Sequence, residues 1–380
     1  MSIGTPNFIG SRLTEAREAR GLTQTALAEV LGLTRAAISL YESGRSTPSS
    51  EVLVKISHAL RVPMHRFLRA GDHIVPGTVF YRSMSAATKS ARERAERRYG
   101  WLRETVSWLR HFVEFQAVRL PKFDVPTDPA AIAWEDIERL AAETRRAFGI
   151  GDGPISHMVL LLENHGCIVA RQELGAHTLD AFSNWGTEDQ TPYFVLGSDK
   201  ASAVRSRFDA AHELAHCVLH KGVRAAQLRE TTTHRLIEDQ AHYFAGAFLL
   251  PREPFANDLF VPSLNALVPL KSKWKVSIGA MIKRAANLGF VSDEQEQRLF
   301  QNRARRGWAS WEPLDDELEL EQPRFLQRCF DMLLDSGVTN RDAIESELGL
   351  FVEDIESIVG LPTGYFGDSV QHYRFPRAAF

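Results

Sequence analysis

The pentapeptide His212-Glu213-Leu214-Ala215-His216 constrains this chain more than any other stretch. Around it, Ala210, Ala211, Leu214, Ala215, Val218 and Leu219 are small or apolar, so the segment reads as a tightly packed, buried helix. Two histidines and a glutamate inside such a helix are costly unless a ligand satisfies them. Residues four apart lie one turn up and about 40° from eclipsed, so both imidazoles can reach one ion at the ~2.0–2.1 Å that zinc needs. Glu213 points to the adjacent face, where it is placed to act as general base on a metal-polarised water.

Such a site needs a third protein ligand. Glu238 is the candidate, on the next long helix, 22 residues beyond His216, which is enough for a loop and a return. The small residues Ala241, Ala245, Gly246 and Ala247 let that helix approach closely. His220 continues the i, i+4 series, but it stands about 12 Å up the helix from His212 and reads as a helix-end residue. His234 and Tyr243 are candidate oxyanion donors, and Cys217 reads as a small core side chain. The strand-like runs Cys167–Gln172, Leu179–Trp185 and Tyr193–Leu196 precede the motif, the last two joined as a hairpin. Tyr193–Leu196 is either an ordinary core strand or an edge to which an extended peptide pairs.

A second signal lies at the other end. Over residues 8–70, apolar positions recur at helical spacing, broken at Gly21, Gly32, Gly44 and Pro48, which predicts five short helices. Ala28 allows a close crossing, Gly32 supplies the turn, and Ile38 plugs the next helix into the core. Thr34 caps that helix, whose exposed side carries Arg35, Ala36 and Ser39; Gln24 and Thr34 sit where a helix N-terminus can meet phosphate. Charge agrees: residues 1–123 carry a net +9 and residues 124–380 a net −12.

The spacing Q-x3-A-x3-G-x5-I, followed by Tyr41-Glu42-x-Gly44 and Pro48, resembles the Cro/C1-type (XRE) repressor family over residues 8–68. The segments RFDAAHELAHCVLH and EDQAHYFAGAFLLP, with GDGPIS and DKASAVRSRF, resemble the ImmA/IrrE family of zinc metallopeptidases over about Asp152–Pro251. The second resemblance implies a gluzincin-like site: His212, His216 and Glu238 on Zn2+, with Glu213 as base. Family members usually carry Asn or Asp where this chain has His242. That residue either orients a zinc-binding imidazole from outside or competes with Glu238 as third ligand.

At 380 residues the chain is too long for one average domain, and with 44% hydrophobic residues it is not disordered. Its apolar runs are too short for a membrane span, no secretion signal opens it, and three scattered cysteines fit a reducing cytoplasm. The expected fold is multidomain and mainly α with a small antiparallel sheet. Its parts are a five-helix helix-turn-helix bundle (1–70), a linker with a long amphipathic helix (71–130, the helix running from about 85 to 118), an α+β metallopeptidase domain (131–262), a basic helix-turn-helix-like subdomain (263–312) and an acidic helical region (313–380). The wide apolar face of the long helix favours packing on a globular body over a coiled-coil seam. Residues 340–360 also scan as helix, turn, helix, but Glu353, Asp354 and Glu356 would repel phosphate, so they read as a packing module.

The expected function is a DNA-binding transcription regulator carrying a zinc endopeptidase that cleaves one protein, such as a repressor or antitoxin, in stress, mobile-element or phage-defence control. The rival is a non-catalytic DNA-binding repressor or antitoxin of a toxin–antitoxin operon with a structural metal site. Expected partners are operator double-stranded DNA, the protein substrate, a second copy in a homodimer and, as an activator acting through the long helix, single-stranded DNA. No membrane partner is expected.

Overall fold

The computed structural model describes residues 4–70, 79–80, 88–175, 180–186, 189–199, 202–224 and 227–367. The expected boundary at 71–77, the start of the long helix near 85, Leu179 and the last residues of the acidic tail lie outside them.

The N-terminal unit packs α1 (Gly10–Ala19), α2 (Gln24–Leu31), α3 (Arg35–Glu42) and α4 (Ser50–Leu60) around Leu13, Leu27, Ile38, Ile56 and Leu60. Thr23, Thr34 and Ser49 cap α2, α3 and α4, each accepting a hydrogen bond from the backbone N–H three residues on. Gly32 takes the left-handed conformation that turns α2 into α3. Gly10 lets α1 cross the end of α3, because a Cβ there would collide with the carbonyls of Tyr41 and Glu42. The expected fifth helix is a single 3-10 turn, Met64–Leu68; Pro63 fixes its entry and Arg69 is already extended.

After the two-residue strand β1 (Val79–Phe80) comes α5 (Lys89–Leu109). The helix expected to reach 118 ends at Leu109. Beyond that end Phe112 still packs on Trp108, while Phe115 sets its ring edge-on to Phe325. Next come α6 (Trp134–Ala147), α7 (Met158–Glu163), β2 (Ile168–Gln172), β3 (Ala181–Trp185), β4 (Pro192–Gly197), α8 (Ala203–Leu219) and α9 (Thr231–Leu249). The rest is helical: α10 (Arg252–Asp258), α11 (Leu264–Trp274), α12 (Ile278–Asn287), α13 (Asp293–Arg305), α14 (Phe325–Asp335), α15 (Arg341–Leu348) and α16 (Val352–Val359). Among these, α14 lies in the expected acidic helical region, with Leu326, Phe330 and Leu333 marking one buried face.

The sheet has the order β1-β3-β4-β2. It is mixed, not antiparallel as expected. β3 and β4 form the hairpin, but β2 runs parallel to β4, because the chain leaves β2 past the position that β4 later fills. β4 is therefore flanked on both sides and offers no edge to a peptide.

Two apolar cores meet at this sheet. Val169, Ala181, Phe194 and Leu196 face a core shared with α6–α9, α11 and α12. Ile168, Ala170, Phe182, Tyr193 and Val195 face the other, shared with α1–α5 and α14–α16. At its centre Tyr99 meets Phe182 and Tyr193 edge-on, with ring centroids 5.9 and 5.6 Å away. Trp101 donates its indole N–H to Glu15, and the guanidinium groups of Arg20 and Arg66 lie 5.5 and 5.4 Å from its ring. Arg20 reaches on to Asp354 of α16 at 2.6 Å.

Trp101→Ala should therefore destabilise the helix-turn-helix unit and the C-terminal helices together, by about 3–5 kcal/mol. Urea unfolding followed by circular dichroism should show one shifted transition. An unshifted transition for the N-terminal unit would refute the shared core.

Candidate metal centre and DNA-facing helix

α8 and α9 pack along each other, and the small side chains Ala211, Ala215, Ala241 and Ala245 are all buried in the core around their contact. That closeness brings His212 and His216 of α8 to Glu238 of α9. The two Nε2 atoms are 3.0 Å apart. Glu238 Oε2 lies 3.5 Å from His212 Nε2, and its Oε1 lies 3.7 Å from His216 Nε2. Two ligands of one tetrahedral zinc at ~2.0–2.1 Å stand about 3.4 Å apart, so the three separations suit a single ion. The carboxylate of Glu213 belongs to the same buried cluster, within 4.8 Å of both imidazoles.

Ser183 and Gln240 escaped the sequence reading, and so did the contact that His220 makes. Ser183 of β3 donates to Glu213 Oε2 at 2.6 Å, both side chains being buried. Nothing in the motif points to a strand serine thirty residues upstream; the hint was only that β3 alternates, so Ser183 shares a face with Ala181 rather than Phe182. His220 stands against His216, Nδ1 to Nδ1, at 3.0 Å. Its Nε2 meets Gln240 Oε1 at 3.1 Å, and Gln240 Nε2 donates to the Pro129 carbonyl at 2.7 Å. Burial pushes the His220 pKa down to about 4, against the pull of its bond to Gln240.

The ring of His242 lies 4.8 Å from that of His212 and 5.9 Å from Phe208. It stands on the wall of a cleft of about 1040 Å3, which is also lined by Trp134, Asp209, Tyr243 and Phe300. His234 lies one turn before Glu238 on α9. Tyr243 stacks at a tilt on Trp134, 5.3 Å between centroids.

On the N-terminal unit, Arg35, Ala36 and Ser39 are exposed along α3. Thr34 spends its hydroxyl oxygen on the α3 cap. Gln24 is half-buried and donates to Glu42 Oε2 at 2.7 Å, so its amide is held from inside the unit. Much of the basic charge also turns inward. Arg12 and Arg66 pair with Glu15 and Glu104, Arg17 with Glu42, and Arg20 with Asp354. The 263–312 segment behaves alike: its turn falls at Lys275 as expected, but Lys271, Arg284 and Arg303 pair with Glu312, Glu138 and Glu312.

A bundle with a capped, exposed third helix, joined to a buried His-Glu-His helix, defines a regulator-type reader fused to a metallopeptidase-type domain. The comparisons with known proteins agree. A model described as helix-turn-helix matches residues 13–67, and a peptidase-family model described as the IrrE N-terminal-like domain matches residues 162–286. The chain therefore carries a helix-turn-helix domain fused to an IrrE-like domain. The chain is similar to an SPbeta prophage-derived HTH-type transcriptional regulator of Bacillus subtilis, 38% identical over 66 residues, 17% of this chain and 60% of that one. It is also similar to a Methanocaldococcus jannaschii protein named for an HTH-type transcriptional regulatory role, 46% identical over 55 residues, 14% of this chain and 17% of that one. The chain thus spans less than two thirds of either relative. Among the described residues no helix is long and apolar enough to cross a membrane.

Cys167, Cys217 and Cys329 are all buried and free. Burial raises each thiol pKa; the Glu213 charge adds to this for Cys217, while Ser183, Lys221 and Trp185 oppose it. A raised pKa means that the protonated, unreactive thiol prevails at pH 8. The native protein should resist iodoacetamide at that pH while the urea-unfolded chain takes up three equivalents. Rapid native labelling of Cys217 would overturn this.

Proposed function

We propose that this chain is a DNA-binding transcription regulator whose IrrE-like domain is a zinc-dependent endopeptidase. The observation that carries the reading is the convergence of His212, His216 and Glu238 on one point, with Glu213 beside them and held by Ser183. Zinc bound there supplies Lewis-acid polarisation of a scissile carbonyl. Glu213 takes a proton from the attacking water and returns it to the leaving amine. Ser183 donates to one oxygen of Glu213 and so helps to fix the carboxylate beside the imidazoles. His242 and Phe208 lead from the ligands into the cleft, whose volume suits several side chains of an extended segment. The proposed substrate is a single protein, such as a repressor or antitoxin, met in the cytoplasm.

The alternative is a non-catalytic repressor or antitoxin with a structural metal. A structural site normally closes all four positions with protein ligands. A purely structural site has no need of Glu213, so its presence in the cluster favours the peptidase.

On the DNA side, the exposed stripe Arg35, Ala36 and Ser39 is proposed to enter a major groove, with Gln24 and Thr34 beside the phosphates, as a homodimer on a palindromic operator. Nucleic acid is the proposed activating ligand. Single- or double-stranded DNA would have to bind the active form more tightly to shift the population.

Metal analysis of the purified chain should give about one zinc per monomer. His212→Ala and His216→Ala should lose it. Glu213→Gln should keep zinc and lose cleavage of proteins encoded next to this one, assayed with and without each form of DNA. Unchanged cleavage by Glu213→Gln would sink the peptidase reading. Separately, Arg35→Ala should weaken operator binding by about 1–3 kcal/mol, measured by fluorescence anisotropy at fixed salt. Equal affinity of the intact chain for every duplex would refute specific readout.

A further inference from the structure

His220 is fully buried at the end of α8 and holds no ion in the arrangement above. We propose that His220, anchored by Gln240, is a positioning residue: it fixes the tautomer of His216 and so presents the His216 Nε2 lone pair to the metal. The proposal rests on the zinc reading of the site.

The bonds determine the proton positions one after another. Gln240 Nε2 lies 2.7 Å from the Pro129 carbonyl and must be the nitrogen, because an amide oxygen there would face another acceptor. Its Oε1 then accepts from His220 Nε2 at 3.1 Å, so that nitrogen carries a proton. A neutral imidazole has only one, which makes His220 Nδ1 an acceptor. His216 Nδ1, 3.0 Å away, must donate to it. The second nitrogen of His216 is thereby left bare, and it is the one facing His212 Nε2 and Glu238 Oε1. An imidazolium at position 220 would reverse the last bond and put a proton on the ligating nitrogen. Full burial of the ring disfavours that charge.

The relay joins α8, α9 and the turn at Pro129–Ala131. Metal-bound histidines usually lean on a carboxylate, a carbonyl or a water. This one leans on a second imidazole, so the orienting chain carries no charge into a buried site.

The test uses the full chain with His220→Leu and His220→Asn. Asparagine can place Oδ1 where Nδ1 accepts, whereas leucine fills more of the space and accepts nothing. Zinc affinity, measured against a chromophoric chelator, should fall about 10–100-fold in His220→Leu and largely recover in His220→Asn. Nitrogen-15 NMR of histidine-labelled, zinc-free protein should show His216 protonated at Nδ1 in the native chain and a mixture of tautomers in His220→Leu. Wild-type zinc affinity in His220→Leu, no rescue by His220→Asn, or a His216 proton on Nε2 in the native chain would each overturn the relay. If the native chain binds no zinc, the metal reading fails, and the tautomer measurement alone decides the relay.

Discussion

A β-strand sends alternate side chains to opposite faces, and here both faces are buried. The rest of the molecule depends on that. Phe182 points to Tyr99 and the core of the helix-turn-helix half, while its neighbour Ser183 points to Glu213 in the other half. Sliding β3 by one residue would exchange them, removing the hydrogen bond to Glu213 and burying a serine among aromatic rings. The hairpin with β4 fixes the register, and Tyr193 beside Tyr99 reinforces it. One sheet thus holds the candidate base in place and joins the halves. Through Trp101 and Glu15 the contact continues into α1, so a load on the reader reaches the sheet through packed side chains and not through a linker.

The metal cluster depends on a different device, which is close approach. Alanines at 211, 215, 241 and 245 let two helices come near enough for ligands from both to meet. Larger residues would hold Glu238 away from the imidazoles. Such a site concentrates buried polar groups, and each needs a partner. Ser183, His220 and Gln240 supply several of them, from three different elements.

Much of this was legible. The two site helices, Ala203–Leu219 and Thr231–Leu249, stand where the motif and Glu238 called for a helix each, because dense apolar periodicity marks them. Thr34 and Gly32 act as cap and turn because their local chemistry alone determines those roles. What escaped was long-range. Glu213 gives no sign of its partner on β3, and the i, i+8 position of His220 argued against its being a ligand without suggesting a role through His216. The parallel pairing of β2 with β4 was hidden because a buried strand reads alike in either direction. The long helix was carried past Leu109 because Phe112 and Phe115 continue the apolar period, although Phe115 packs on Phe325.

Net charge was the least transferable signal. The +9 of residues 1–123 suggested a broad basic surface. Yet Arg12, Arg17, Arg20 and Arg66 are spent on carboxylates, and Arg20 crosses to Asp354, in the helix whose acidity seemed fit only to repel phosphate. That acidic helix is therefore part of the reader's support. The cationic field left at the surface is narrower, carried by exposed groups such as Arg35, Arg45, Lys55 and Arg61 on and around α3 and α4. A narrow field contributes less non-specific attraction to the phosphate backbone, so under the proposed reading more of any operator affinity would have to come from base-edge contacts.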